Sequence, residues 1–161
     1  MAFHLLICQG VFAMGDIKKM FSPDHVALIG ANEENGSVGK IILENLLLSE
    51  KRKLYPVNPN RKTVLGLECF PDITQVPVHV DLAVVATPAK TVPSIVQECG
   101  AAGVEGIVII SAGFKEIGGE GKKLEAQIIE YRKKYGMRII GPNCIGVIRP
   151  QIGRASCRER V

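Results

Sequence analysis

A doubly wound α/β domain on a parallel sheet is the fold class the sequence predicts, and three observations predict it. Apolar strings recur as HVALIG (25–30), LAVVA (82–86) and GIVII (106–110), without polar alternation. Strands of that kind are buried on both faces, the condition of a parallel sheet covered by helices on each side. Single helical stretches at 38–49, 91–102 and 120–135 separate them, so strand and helix alternate. Glycine or proline follows four of the five strand ends, as in a backbone that must turn or approach a ligand. The expectation is a Rossmann-like single domain, truncated at its C-terminal end.

The first strand is HVALIG. The helix over 38–49 carries Val38, Ile41, Ile42, Leu46 and Leu48 at spacings near three and four. KLYPV (53–57) is a second strand, where Pro56 suits a position that needs no N–H. A Pro- and Gly-rich connector over 58–80 holds one short strand near 64–67. The third strand, LAVVA, is entered through Asp81 and left through Thr87, Pro88 and Ala89. The next helix, 91–102, tolerates Pro93 in its first turn and ends near Gly103. GIVII is the fourth strand and SAGFKEIGG (111–119) a loop. The helix over 120–135 is charged and amphipathic, with Leu124, Ile128, Ile129 and Tyr131 on its buried side and Gly136 as its stop. The fifth strand, 138–140, is capped by Gly141, Pro142, Asn143 and Cys144.

A chain of 161 residues that is 47% apolar is long enough for one domain with a real core. Its apolar runs fall far short of the about 18 residues of a membrane span, so no membrane partner is expected. The five cysteines, Cys8, Cys69, Cys99, Cys144 and Cys157, form no CxxC pair, which points to reduced thiols in a cytoplasm. Residues 1–13 have an apolar segment but no basic start, and Met14 opens a more ordinary beginning. They read as a mis-called start, leaving 14–150 as the domain.

The last ten residues, IGRASCRERV, break the alternation with an Arg-rich string. They resemble the forward translation of a common sequencing adapter, so 151–161 is expected to be non-native and the natural chain to continue past Pro150. Without Arg154, Arg158, Arg160 and Glu159 the counts of 20 basic and 16 acidic residues become 17 and 15, and the charge falls from +4 to +2. Basicity then gives no ground for a nucleic-acid partner.

Ligands of such sheets lie outside the carboxyl ends of the strands. The first of these loops runs from Gly30 to Gly39 and enters a helix through Gly36-Ser37-Val38-Gly39, which turns backbone N–H groups and the positive helix end toward an anion. It is neither GxGxxG nor a P-loop. An NAD site wants a carboxylate near the end of the second strand for the ribose hydroxyl. Here stand Asn58, Pro59, Asn60, Arg61 and Lys62, which suit a phosphorylated ribose: NADP, or coenzyme A with its 3′-phosphate.

From about residue 21 to 150 the chain resembles the CoA-binding domain of the NDP-forming (ADP-forming) acyl-CoA synthetases, relatives of the succinyl-CoA ligase alpha subunit. The resemblance lies in VALIGANEENGSVG, LYPVNPNRKTVLGLECF, VDLAVVATPAKTVPSIVQECGAAGV, IVIISAGFKEIGGEGKKLE and GMRIIGPNCIGV, in order and at family spacing. It implies that Gly30, Ala31, Asn32, Ser37, Val38 and Gly39 line the CoA diphosphate or the adenosine beside it, and that Arg61 meets a CoA phosphate. Pro88, Ala89 and Lys90 would border the nucleotide, and Ile110, Ser111 and Ala112 the pantetheine. Gly141, Pro142, Asn143 and Cys144 would face the place where acyl phosphate and thiol meet. Asn32, where the family often has Ser, and the pair Glu33-Glu34 depart from the common form, and both carboxylates are expected to face solvent.

In the family a histidine carries the phosphoryl group between acyl phosphate and ADP, in a domain beyond this chain. His4, His25 and His79 do not match it, so no catalytic residue and no metal ligand is expected here. Cys144 reads as a packing thiol rather than a nucleophile. The implied cofactor is coenzyme A, with ADP or ATP and Mg in the missing ligase and nucleotide-grasp domains or subunit. The implied parent is an acetate–CoA-type ligase. A CoA-binding regulatory region of a protein lysine acetyltransferase and a stand-alone CoA- or nucleotide-sensing protein stay open as other readings. An NADP-dependent oxidoreductase finds no hydride-transfer site.

Overall fold

The computed structural model describes residues 17–49 and 51–146. The expectations for His4, Cys8, Met14, Pro150, Cys157 and the Arg-rich tail lie outside the described residues. The elements follow as α1 (Ile17–Phe21), β1 (His25–Ile29), α2 (Val38–Leu47), β2 (Lys53–Val57), β3 (Thr63–Val64), β4 (Leu67–Glu68), β5 (Leu82–Val85), α3 (Val92–Ala101), β6 (Gly106–Ile109), α4 (Gly119–Tyr135) and β7 (Arg138–Ile140). β2, β1, β5, β6 and β7 form, in that order, one five-stranded sheet, parallel throughout. The chain steps to one side from β1 to β2 and to the other from β5 onward. That reversal opens a crevice at the carboxyl ends of β1 and β5, the usual ligand position in a doubly wound sheet.

Strand side chains alternate between two helix-covered faces, as the pleat requires. Ala27, Ile29, Ala83, Val85, Ile107 and Ile109 pack with Val92, Val96 and Cys99 of α3 and Ile128 of α4. Val26, Leu28, Leu82, Val84 and Val108 pack on the other face with Met20 of α1 and Leu43 and Leu46 of α2. Burial of each large aliphatic side chain contributes about 1.5–3 kcal/mol, so these layers dominate the stability. Pro56 is accommodated because β2 is the edge strand of the sheet, and the Phe70 N–H donates to its carbonyl at 2.9 Å.

Four details depart from the sequence reading. The five-residue helix α1 was not anticipated. The single short strand expected near 64–67 is a hairpin, because Leu65 and Gly66 both take positive φ, 50° and 79°, and reverse the chain between β3 and β4. The buried face of α2 is Gly39, Leu43 and Leu46, while Val38, Ile41 and Leu48 are exposed. On α4, Ile128 is buried and Leu124 and Tyr131 are half-buried, but Ile129 is exposed. No helix among the described residues is long and apolar enough to cross a membrane.

Candidate functional site

A cleft of about 690 Å³ opens at the crevice. Ile29, Gly30 and Asn32 reach it from β1, and Val57, Asn58, Pro59 and Asn60 from β2. Ala86, Thr87 and Pro88 enter after β5, Thr91, Ile95 and Glu98 from the side of α3, and Pro71, Asp72 and Ile73 close one end.

Gly30 is the pivot. Its N–H donates to the Val57 carbonyl at 2.9 Å and its φ is 93°, while a Cβ there would lie 2.6 Å from the Ala86 carbonyl oxygen. Only glycine lets β1 turn this close to β5. Gly39 fulfils the matching role on α2, where a Cβ would fall on the Gly30 carbonyl oxygen. The N-terminus of α2 is thereby drawn against the end of β1. Ser37 caps that helix, its hydroxyl accepting from the Lys40 N–H at 3.2 Å and donating to Asn32 Oδ1. Asn32 Oδ1 also accepts the Glu34 N–H at 3.0 Å. Across the crevice Asn58 Nδ2 donates to the Ala31 carbonyl at 2.8 Å, and Asn58 Oδ1 accepts the Asn60 N–H at 2.9 Å. The two loops are thus tied together beside the opening.

Of the residues expected at a ligand, Gly30, Asn32 and Pro88 line this cleft. Ala31 is buried beneath it, and Ser37, Val38 and Gly39 form the helix start behind it. Ala89 and Lys90 lie in a 3-10 turn that leads into α3, with Lys90 Nζ 3.6 Å from Glu120. Arg61 is not among the lining residues. Its guanidinium bonds Glu34 at 3.1 Å and stands 3.9 Å from Glu33, which also accepts the Leu65 N–H at 3.3 Å. The acidic pair expected to face solvent is exposed, yet it leans across to the second loop and neutralises the cation there.

Ile110, Ser111, Ala112 and Asn143 gather farther along the same edge. The Ile110 N–H donates to the Val85 carbonyl at 3.0 Å, and the Asn143 N–H to the Ser111 carbonyl at 2.9 Å. The Ser111 hydroxyl oxygen is buried without a hydrogen-bond partner in the protein. Cys144 Sγ donates to the Ile109 carbonyl at 3.2 Å, which holds the thiol in the turn. Burial pushes the Cys99 thiol up to about 12, so that cysteine is an inert core group.

Sequence reasoning missed the end wall. Thr91, Ile95 and Glu98 share a helix face, a pattern visible in the sequence, but nothing in it brings the 71–73 segment opposite. Asp72 caps the 3-10 turn Ile73–Gln75, and bonds led by the Thr74 hydroxyl hold its carboxyl below the usual range. Glu98 is pushed the other way, by burial and then by the Asp72 charge. At the opposite edge of the sheet, His79, Asp81 and Glu105 bring ligand-type atoms within 4.8 Å of one another, on two strand entrances. Asp81 is already engaged there by backbone N–H groups and Lys19.

The pattern of the family described as CoA binding domain matches residues 24–150, from the start of β1 past the Asn143 turn. The chain belongs to the CoA binding domain family. It is 44% identical over 145 residues to an ADP-forming acetate–CoA ligase I of Archaeoglobus fulgidus, covering 90% of this chain and 21% of that protein. It is 43% identical over 128 residues to the alpha subunit of an ADP-forming acetate–CoA ligase II of Pyrococcus furiosus, covering 80% of this chain and 28% of that subunit. The solved acetyl-coenzyme A synthetase 1 of Ca. Korarchaeum cryptofilum, dinucleotide forming and in complex with phosphate and ADP, matches with a TM-score of 0.77 and 40% identity. That match covers 83% of this chain and 28% of the solved one. This CoA binding domain therefore spans about a fifth to under a third of the length of these relatives.

Proposed function

We propose that this domain holds coenzyme A across the crevice between β1 and β5, as the CoA-binding part of an ADP-forming acyl-CoA ligase. The single observation that carries the reading is the cleft itself. It sits at the sheet's reversal, pinched by Gly30 and the N-terminus of α2, with Arg61 rather than a carboxylate after β2. The residues fit such a ligand. Gly30, Asn32 and the start of α2 suit a diphosphate, the apolar residues Ile29, Val57, Ile73 and Ile95 suit a base, and Arg61 suits the 3′-phosphate. Pro88, Ala89 and Lys90 would border the nucleotide. Ile110, Ser111, Ala112 and Asn143 would receive the pantetheine end, where the unpartnered Ser111 hydroxyl offers a donor.

The parent reaction we assign is the interconversion of acyl-CoA, ADP and phosphate with a carboxylate, CoA and ATP. In it the bound cofactor supplies the thiol that accepts or releases the acyl group. The residues of this chain bind and orient that thiol, while ATP, ADP and Mg belong to further ligase and nucleotide-grasp domains or subunits. His25 and His79 stand at strand entrances, at the far edge from the cleft, so neither carries phosphate to it. The free thiols of Cys69, Cys99 and Cys144 suit a reducing cytoplasm. Calorimetry with CoA, dephospho-CoA, NAD and NADP tests the ligand. CoA is expected to bind tightest, and equal or tighter binding of NAD overturns the reading.

A further inference from the structure

The end wall of the cleft joins two kinds of surface. Ile73 and Ile95 face it with aliphatic side chains, and Asp72 and Glu98 bring carboxyl groups from the 3-10 turn and from α3. The two acids are not equivalent. Asp72 is used by the fold: its carboxylate accepts the Thr74 N–H at 2.9 Å, the Thr74 hydroxyl, and the Gln75 side-chain amide at 2.7 Å. No hydrogen bond or ion pair engages the Glu98 carboxyl group among the described residues, and its charged neighbour is Asp72. A carboxylate accepts hydrogen bonds and donates none. Placed at the edge of an apolar slot, with an anion beside it and no cation, Glu98 suits a neutral donor at the rim of a flat ring.

We propose that Glu98 reads the base of the bound nucleotide, accepting a hydrogen bond from the exocyclic amino group of adenine while Ile73 and Ile95 cover the ring. The inference rests on the coenzyme A reading and adds to it the residue that selects the purine. Adenine carries an amino donor at this edge. Hypoxanthine and guanine carry an oxo group there, which sets acceptor against acceptor. Spacing supports the assignment: Thr91, Ile95 and Glu98 lie four and three residues apart on one helix face, so the base wall and the polar rim move as one rigid element.

The test is calorimetry of the 161-residue chain with CoA and with its deaminated, hypoxanthine-bearing analogue. The wild type is expected to prefer CoA by about tenfold, the worth of one hydrogen bond to a charged acceptor at a partly exposed site. In Glu98→Gln the amide both donates and accepts, so the preference should narrow to under about threefold while CoA still binds. Equal affinity of the wild type for both ligands overturns the inference and leaves the CoA reading standing. So does a tenfold preference that survives in a folded Glu98→Gln protein. If the wild type binds neither ligand, both readings fall. Should Glu98→Gln fail to fold, Glu98→Ala at the same exposed helix position takes its place, with the same narrowing expected and a surviving tenfold preference overturning the inference.

Discussion

Asp81 is only 4% exposed, and its charge is accommodated because the carboxylate organises the entrance of the sheet. Oδ2 accepts the N–H groups of Asp24 and His25 at 2.8 and 2.9 Å, and Lys19 Nζ lies 3.5 Å from Oδ1. Burial alone would raise this carboxyl, but the two N–H groups and the lysine outweigh it and hold it below the usual carboxylate range. Asp81→Ala leaves two donors unpaired and should cost about 2–4 kcal/mol in denaturant titrations. Linkage gives the sign of the pH effect. A lowered native value means the stabilisation is fully present above the unfolded value of about 3.9 and is lost as pH falls through the native one. The stability gap between wild type and Asp81→Asn should therefore hold constant from pH 8 to 5 and close below about pH 4. A gap that closes near neutrality instead would assign it to another group. Arg61 presents the converse case, a cation already occupied. Glu34 at 3.1 Å competes with any incoming phosphate, so Glu34→Gln should tighten CoA binding about two- to fivefold, the scale of an exposed ion pair. Dephospho-CoA should be unaffected, and an equal gain for both ligands would sever Arg61 from the 3′-phosphate.

At the scale of elements, the start of α2 and the end of β1 behave as one part. Gly39→Ala would drive a methyl group into the Gly30 carbonyl, and the helix must shift to relieve it. We expect a loss of about 1–3 kcal/mol in stability and a larger loss of CoA affinity. Ser37→Ala, which removes the cap bond to Lys40 and the bond to Asn32 Oδ1 but adds no clash, should cost about 1 kcal/mol. An affinity unchanged in a folded Gly39→Ala protein would remove the helix start from the site. The same elements explain what was legible in sequence. Wholly apolar strands announce a parallel sheet, because such a pattern suits burial on both faces and little else. The face of α2 was not legible: Ile41, Ile42, Leu43, Leu46, Leu47 and Leu48 are apolar nearly all round, and tertiary packing selected Gly39, Leu43 and Leu46. α1 is too short for periodicity to register. The cleft-lining positions Gly30, Asn32 and Pro88, which follow strand ends, could be read from the chain. The end wall could not, since Asp72, Ile73, Ile95 and Glu98 meet only through the folding of the 58–80 connector against α3.

For the molecule as a whole, the question is whether the cleft alone commits the fold to its ligand. The crevice is formed by loops tied to each other through the hydrogen bonds of Asn58 to Ala31 and of Gly30 to Val57. A preformed site costs little ordering on binding, so CoA should stabilise the native state by simple mass action. At a hundredfold excess over its dissociation constant that is about 2.7 kcal/mol. For a domain of this size such a gain corresponds to a rise in Tm of about 5–15 °C. Thermal melts of the 161-residue chain should show that rise with CoA, less with dephospho-CoA, and least with NAD, which meets no carboxylate after β2. A CoA rise accompanied by large gains in secondary structure would mean that the ligand builds the crevice rather than entering it. The same preparation, given acetyl-CoA, ADP, phosphate and Mg, should form no ATP. The histidines of the described residues lie at the amino ends of the strands, a full strand length from the cleft, so on the proposed reading phosphoryl transfer falls to another part of the parent protein. ATP formation by this chain would refute that division of labour directly.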